Sequence, residues 1–142
     1  MDLFFSCDIE GVCGAAAWEQ LGPGTPELQA LCAQMTREVA AACRAAVQAG
    51  GERILVKDAH DTGRNIALEE LPVPVQVNRG WAGDPYGMMS GIQHGSWDGA
   101  VFLGYHSGAG TSGSPMAHTM EPQKVDYIEI NGERASEFTL NA

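Results

Sequence analysis

The sequence predicts an α/β fold: a mostly parallel central sheet with flanking helices and a hairpin near the C-terminus. Three observations carry that expectation. Two short apolar runs, Leu3 to Asp8 and Ile54-Leu55-Val56, bracket a long amphipathic stretch, the pattern of a β-α-β unit. A further β-rich run, Gly99 to Tyr105, follows downstream. Near the C-terminus, Asn131-Gly132 separates the alternating segment Val125 to Ile130 from the chain returning at Arg134, a two-residue hairpin signal.

Taken in order, Leu3 to Asp8 reads as a strand buried on both faces, because its apolar residues run continuously rather than alternating. Gly22-Pro23-Gly24 is a loop, and Thr25-Pro26 then starts a helix, with the threonine as N-cap and the proline at the first helical position. From Leu28 through Leu31, Cys32, Met35, Val39, Ala42 and Ala46 to Val47, apolar residues recur at helical spacing on one stripe. Gly50-Gly51 ends the helix, and Ile54 to Val56 completes a crossover expected to be right-handed. Pro74 interrupts the apolar stretch Val73 to Val77 and demotes it to an edge strand. Gly87 to Gly95 reads as a short helix or turn, and Ser107 to Pro115, rich in Gly and Ser, as a specially shaped loop. The last residues, Phe138 to Ala142, look like the start of another element.

Composition narrows the function classes. The 142 residues fit one domain able to bury a core, with 44% hydrophobic and 18% charged residues. A net charge of −10 argues against nucleic acid or an anionic membrane as main partner, since both call for basic patches. No apolar run approaches the ~20 residues of a membrane span. The N-terminus has no basic segment followed by an apolar core, so the expected compartment is the cytoplasm. Cys7, Cys13, Cys32 and Cys43 show no C-x-x-C spacing and read as structural thiols.

Chemistry concentrates where strands end. Asp8-Ile9-Glu10-Gly11 follows the first apolar run. Alternation along an extended chain aims the carboxylates of Asp8 and Glu10 at the same point, and Gly11 frees the backbone to turn away. Two such charges side by side require a cation between them or a proton on one. The plain alternative is a solvated turn. Two further strand ends repeat the theme, with Asp58-Ala59-His60 after the second strand and His106 after the Gly99 run. Open α/β sheets bind ligands beyond the carboxyl ends of their strands, so one edge of the sheet would collect all of these groups. Two histidines with two or three carboxylates suit zinc, manganese or iron, and the oxygens suffice for two ions bridged by one carboxylate. Asp58 is alternatively a residue that holds His60 in orientation. Few arginines or lysines lie near these motifs to clamp a phosphate.

Five ordered motifs, Asp8-Ile9-Glu10-Gly11, Asp58-Ala59-His60, Gly104-Tyr105-His106, Met116-Ala117-His118-Thr119-Met120 and Leu140-Asn141-Ala142, together resemble the zinc D-aminopeptidases of the bacterial dipeptide-transport operon. The resemblance runs along the whole chain. It implies a peptidase with two zinc ions per chain that releases N-terminal D-amino acids, such as D-alanine, from short peptides. It further implies zinc ligands at Asp8, Glu10, His60, His106 and Glu137, with Asp8 bridging, and a catalytic histidine at His118. By physics alone, Glu137 just past a hairpin is expected to be solvated. Family members assemble as homo-oligomers, decamers of two stacked pentamers, and continue beyond the segment matched here. Residues 1–142 would accordingly be their metal-binding catalytic portion. Two other readings share the residues: a metal-dependent hydrolase of another bond, and a metal- or peptide-binding protein without turnover.

Overall fold

The computed structural model describes residues Met1–Ala142. Its centre is a four-stranded sheet of β1 (Asp2–Cys7), β2 (Arg53–Asp58), β3 (Gln76–Asn78) and β4 (Gly99–Leu103), in the order β3-β2-β1-β4. Every pairing within it is parallel, with Cys7 opposite Asp58 on one side and Leu103 on the other. The parallel sheet expected from the apolar runs is present. The chain lays down β1, β2 and β3 in one direction, then crosses back to place β4 beside β1. That reversal opens a crevice at the carboxyl ends of the central strands, where α/β sheets bind their ligands.

The crossover helix α1 (Pro26–Gln48) forms as its caps dictate. Thr25 stays extended, and its hydroxyl accepts the Leu28 N–H at 3.1 Å. Removing such a cap typically costs ~1 kcal/mol. The helix buries Leu31, Met35, Val39, Cys43 and Ala46 against Phe5, Cys7, Ile54 and Val56 of the sheet. Each large side chain so removed from water contributes about 1.5–3 kcal/mol. Leu28, Cys32, Ala42 and Val47, expected on the stripe, flank it partly buried, while Thr36 and Ala40 lie within it. The buried Thr36 hydroxyl is satisfied: it donates to the Cys32 carbonyl at 2.8 Å and accepts the Ala67 N–H at 3.1 Å.

The opposite face of β1 carries Phe4, which packs edge-on against Trp97, and Ser6, which donates to the Met88 carbonyl at 2.7 Å. Residues 87–95 form two short 3-10 turns, Gly87–Met89 and Ile92–His94. The edge strand β3 begins only at Gln76, because Pro74 cannot donate to a ladder. The hairpin is shorter than its sequence pattern, pairing β5 (Ile128–Ile130) with β6 (Glu133–Ala135). Asn131 and Gly132 both take positive φ, as a two-residue turn matched to strand twist requires. The C-terminal residues form a short helix, α2 (Glu137–Asn141). All four cysteines are free thiols, Cys7 and Cys43 within the core. No helix is long and apolar enough to cross a membrane.

Candidate metal centre

The turn after β1 is built by close backbone contact with the end of β4. Asp8 N–H donates to the Leu103 carbonyl at 2.8 Å and Gly11 N–H to the Gly104 carbonyl at 2.7 Å. A Cβ on Gly104, which sits at φ +66, would collide with the Asp8 carbonyl, and one on Gly11 with that of Tyr105. Both positions therefore exclude any side chain. The strand itself stops at Cys7, so Asp8 and Glu10 do not share a face by extended-chain alternation as expected. A turn beginning at Ile9 brings the two carboxylates together instead.

Asp8 occupies the middle of the crevice, with one histidine on either side. Its Oδ1 lies 3.5 Å from His60 Nδ1 and its Oδ2 lies 3.5 Å from His106 Nε2. Glu10 Oε2 completes the first group, 3.1 Å from His60 Nδ1. Glu137 Oε2 completes the second, 2.9 Å from His106 Nε2. Far from being solvated, Glu137 is 4% exposed, because it opens α2 where that helix turns back under the loop. Its other oxygen accepts the Met120 N–H. The structure thus brings together all five residues that the resemblance implies as ligands.

These donors suit a divalent cation. Asp8, Glu10 and His60 place ligand atoms within 4.8 Å of one another, as do His106, His118 and Glu137. Glu10 Oε2 is buried without an aligned hydrogen-bond donor, an unsatisfied state costly for a carboxylate unless a cation completes it. His106 Nδ1 lies 3.0 Å from the Ser107 carbonyl, which can only accept, so its proton resides there and Nε2 is the ligand atom. Asp58 acts differently from expectation, for it does not touch the His60 ring. Fully buried, it accepts N–H groups from Asn65 and Ile66 at 2.6–2.9 Å. The Asn65 amide in turn donates to the His60 carbonyl at 2.7 Å, so Asp58 orders the loop that carries His60.

Without a cation, protons hold this cluster together. Burial opposes charge on His60, but the Asp8 and Glu10 carboxylates beside it prevail and push it up to about 10. Burial likewise opposes charge on His106, and Glu137 with the Ser107 carbonyl raises it to about 9. Burial, helped by the neighbouring Glu10 charge, lifts Asp8 above the carboxylate range; Glu10 is pulled below it by His60 against the effect of its own burial. Groups raised above the ordinary histidine value of ~6.5 stabilise the fold fully below that pH and lose the contribution as pH rises through their folded values. The metal-free chain is therefore expected to melt at progressively lower temperature between pH 7 and pH 10, with His60→Gln flattening the trend. A melting temperature that stays level or rises across this window would contradict the stabilising protonation of His60 and His106.

A cleft of about 470 Å³ opens onto these groups, walled by Trp18, Trp81, Met88 and Met120. His118 lies on its floor, 7% exposed, its ring stacked on His106 with centroids 3.6 Å apart and planes at 13°. Its Nδ1 is 2.8 Å from the Met116 carbonyl, which leaves Nε2 as the proton-accepting atom. Met116 and Met120 both take positive φ, uncommon for non-glycine residues, and flank the histidine symmetrically in sequence. The Ser107–Pro115 loop is pinned behind it by His118 N–H to the Ser107 carbonyl at 3.1 Å and Ala109 N–H to Thr119 Oγ1 at 3.0 Å. His94 is exposed, as its lack of any motif suggests. Reasoning from sequence did not single out Trp18, Trp81 or Asn65, which lie in no periodic segment. Trp81 is set at the cleft by Lys57, a fully buried cation bonded to the Asp58 and Gly80 carbonyls and 4.3 Å from the indole.

Comparison with known proteins agrees with this architecture. A family model described as D-aminopeptidase (peptidase M55) matches residues 1–142. A D-aminopeptidase of Bacillus subtilis (strain 168) is 31% identical over 142 residues, 100% of this chain and 50% of that protein. The solved structure of the Zn-dependent D-aminopeptidase DppA from Bacillus subtilis, described as a self-compartmentalizing protease, is similar at a TM-score of 0.85 and 28% identity. That likeness covers 99% of this chain and 50% of the other. The chain spans about half the length of the relatives it matches.

Proposed function

The chain belongs to the D-aminopeptidase family, and on that premise we propose that it is a zinc-dependent aminopeptidase removing N-terminal D-amino acids of the D-alanine type from short peptides. In this reading Asp8, Glu10 and His60 would hold one zinc ion, and His106 and Glu137, with Asp8 shared, would hold a second. The observation that carries it is the placement of Asp8, whose two oxygens each face a different histidine at 3.5 Å. Held by these residues, zinc would supply Lewis acidity for a carbonyl and lower the pKa of water from ~15.7 toward ~7.

The chain's own residues supply the rest. His118, with Nδ1 engaged by Met116, offers Nε2 to take a proton and return it to the departing amine. The cleft presents five carboxylates, Asp8, Glu10, Asp61, Glu121 and Glu137, and no lysine or arginine. With Asp8, Glu10 and Glu137 taken up as ligands, Asp61 and Glu121 remain to receive a substrate's free ammonium group. We read residues 1–142 as the metal-binding catalytic portion, since the whole ligand set lies within them. Homo-oligomeric assembly is proposed by analogy with the neighbour described as self-compartmentalizing, and a cytoplasmic setting with it.

The test is release of free amino acid from D-Ala- and L-Ala-containing dipeptides by the zinc-loaded chain. Preferential turnover of the D-series is expected. Exclusive turnover of the L-series would overturn the stereochemical part, and binding without turnover would reduce the protein to a metal or peptide carrier.

A further inference from the structure

Trp18 is an aromatic side chain that the core does not use. It is 44% exposed and contributes nothing to the buried cluster between sheet and α1. Yet the backbone that presents it is firmly held. It opens a 3-10 turn, Trp18–Leu21, whose flanks Ala15 and Leu21 pack against the core. The Gln20 amide ties down the approach, accepting the Ala16 and Ala17 N–H groups at 2.7 and 2.9 Å and donating to the Gly14 carbonyl at 3.1 Å. An exposed indole on an immobilised backbone is a platform, and what it meets is His118. The two ring centroids lie 4.9 Å apart with planes at 65°, an edge-to-face contact.

The other contacts of His118 explain what this one adds. Its Nδ1 is held by the Met116 carbonyl, and one ring face lies flat on His106. A single hydrogen bond and a single stack leave the ring open on the cleft side, and Trp18 is the cleft wall that reaches it. The two residues are 100 positions apart in the chain, so only folding brings them together.

We propose that Trp18 is a positioning residue for His118, fixing its imidazole at the angle from which Nε2 faces the cleft. This inference rests on the catalytic role given to His118 in the proposed function. A small misplacement of an acid–base group is enough to slow turnover without weakening substrate binding.

The test uses the 142-residue chain loaded with zinc, comparing Trp18→Ala and Trp18→Phe with the parent. Zinc content, kcat and KM on a D-alanyl dipeptide are measured, together with the imidazole NMR resonances of His118, assigned by their loss in His118→Ala. In Trp18→Ala zinc is expected to be retained and kcat to fall about tenfold with KM within about twofold, and Trp18→Phe to restore most of the rate. The His118 resonances move in the alanine variant, because the indole ring current is gone, and return toward the parent in the phenylalanine variant. Unchanged kcat, a rise in KM alone, or loss of zinc would each overturn the proposal. Should the parent chain hydrolyse no peptide at all, the functional reading fails, while the nuclear Overhauser contacts of the His118 ring to the His106 ring, kept in the parent and lost in Trp18→Ala, still decide whether Trp18 holds the ring.

Discussion

Asp8→Ala is expected to abolish binding of the proposed zinc pair at once, whereas Glu10→Ala and Glu137→Ala each weaken one side. The asymmetry follows from position. Of the pair His60 and His106, Glu10 faces the first and Glu137 the second, but Asp8 addresses both. Losing Lewis-acid activation removes about 4 kcal/mol or more from the transition state, a ~10³-fold or greater fall in kcat. Metal analysis by mass spectrometry and dipeptide hydrolysis measure the two effects separately. The fold should survive, because the buried core between the sheet and α1 does not include Asp8. Asp8→Asn checks this point, since the amide oxygen still accepts the Ile9 N–H that Asp8 Oδ1 holds at 2.9 Å. Full zinc occupancy in a folded Asp8→Ala chain would refute the bridge.

His118→Ala is expected to leave zinc in place and lower kcat by about 10²- to 10⁴-fold, the range for a positioned acid–base group. The ring stacks on His106 rather than reaching between the Asp8, Glu10 and His60 carboxylates and imidazole, so its loss leaves the bridging group intact. Its ring nitrogen does lie close to His106 and Glu137, which makes metal content the deciding companion measurement. Zinc lost together with activity would make His118 a ligand instead.

Much of this was legible without a structure, for identifiable reasons. The parallel sheet followed from apolar runs too continuous to belong to half-solvated strands, and α1 followed from Thr25-Pro26 and a helical stripe ending at paired glycines. Asp8, Glu10, His60 and His106 could be proposed because parallel strands all end at one edge. Glu137 could not be reached by that logic. It belongs to no strand of the main sheet, and its burial depends on a hairpin and a five-residue helix folding back across the crevice. The route by which Glu10 joins Asp8 was also misread, since a turn and not an extended strand converges them.

Periodicity, caps and turn residues are local properties, and local chemistry alone determined the order of elements, the direction of the strands and the edge where charge gathers. Trp18 on His118, Asn65 between Asp58 and His60, and Lys57 beneath Trp81 were decided only by the tertiary structure. Each joins loop residues with no spacing rule to connect them. Their meeting depends on which surfaces the packed sheet and helix leave adjacent.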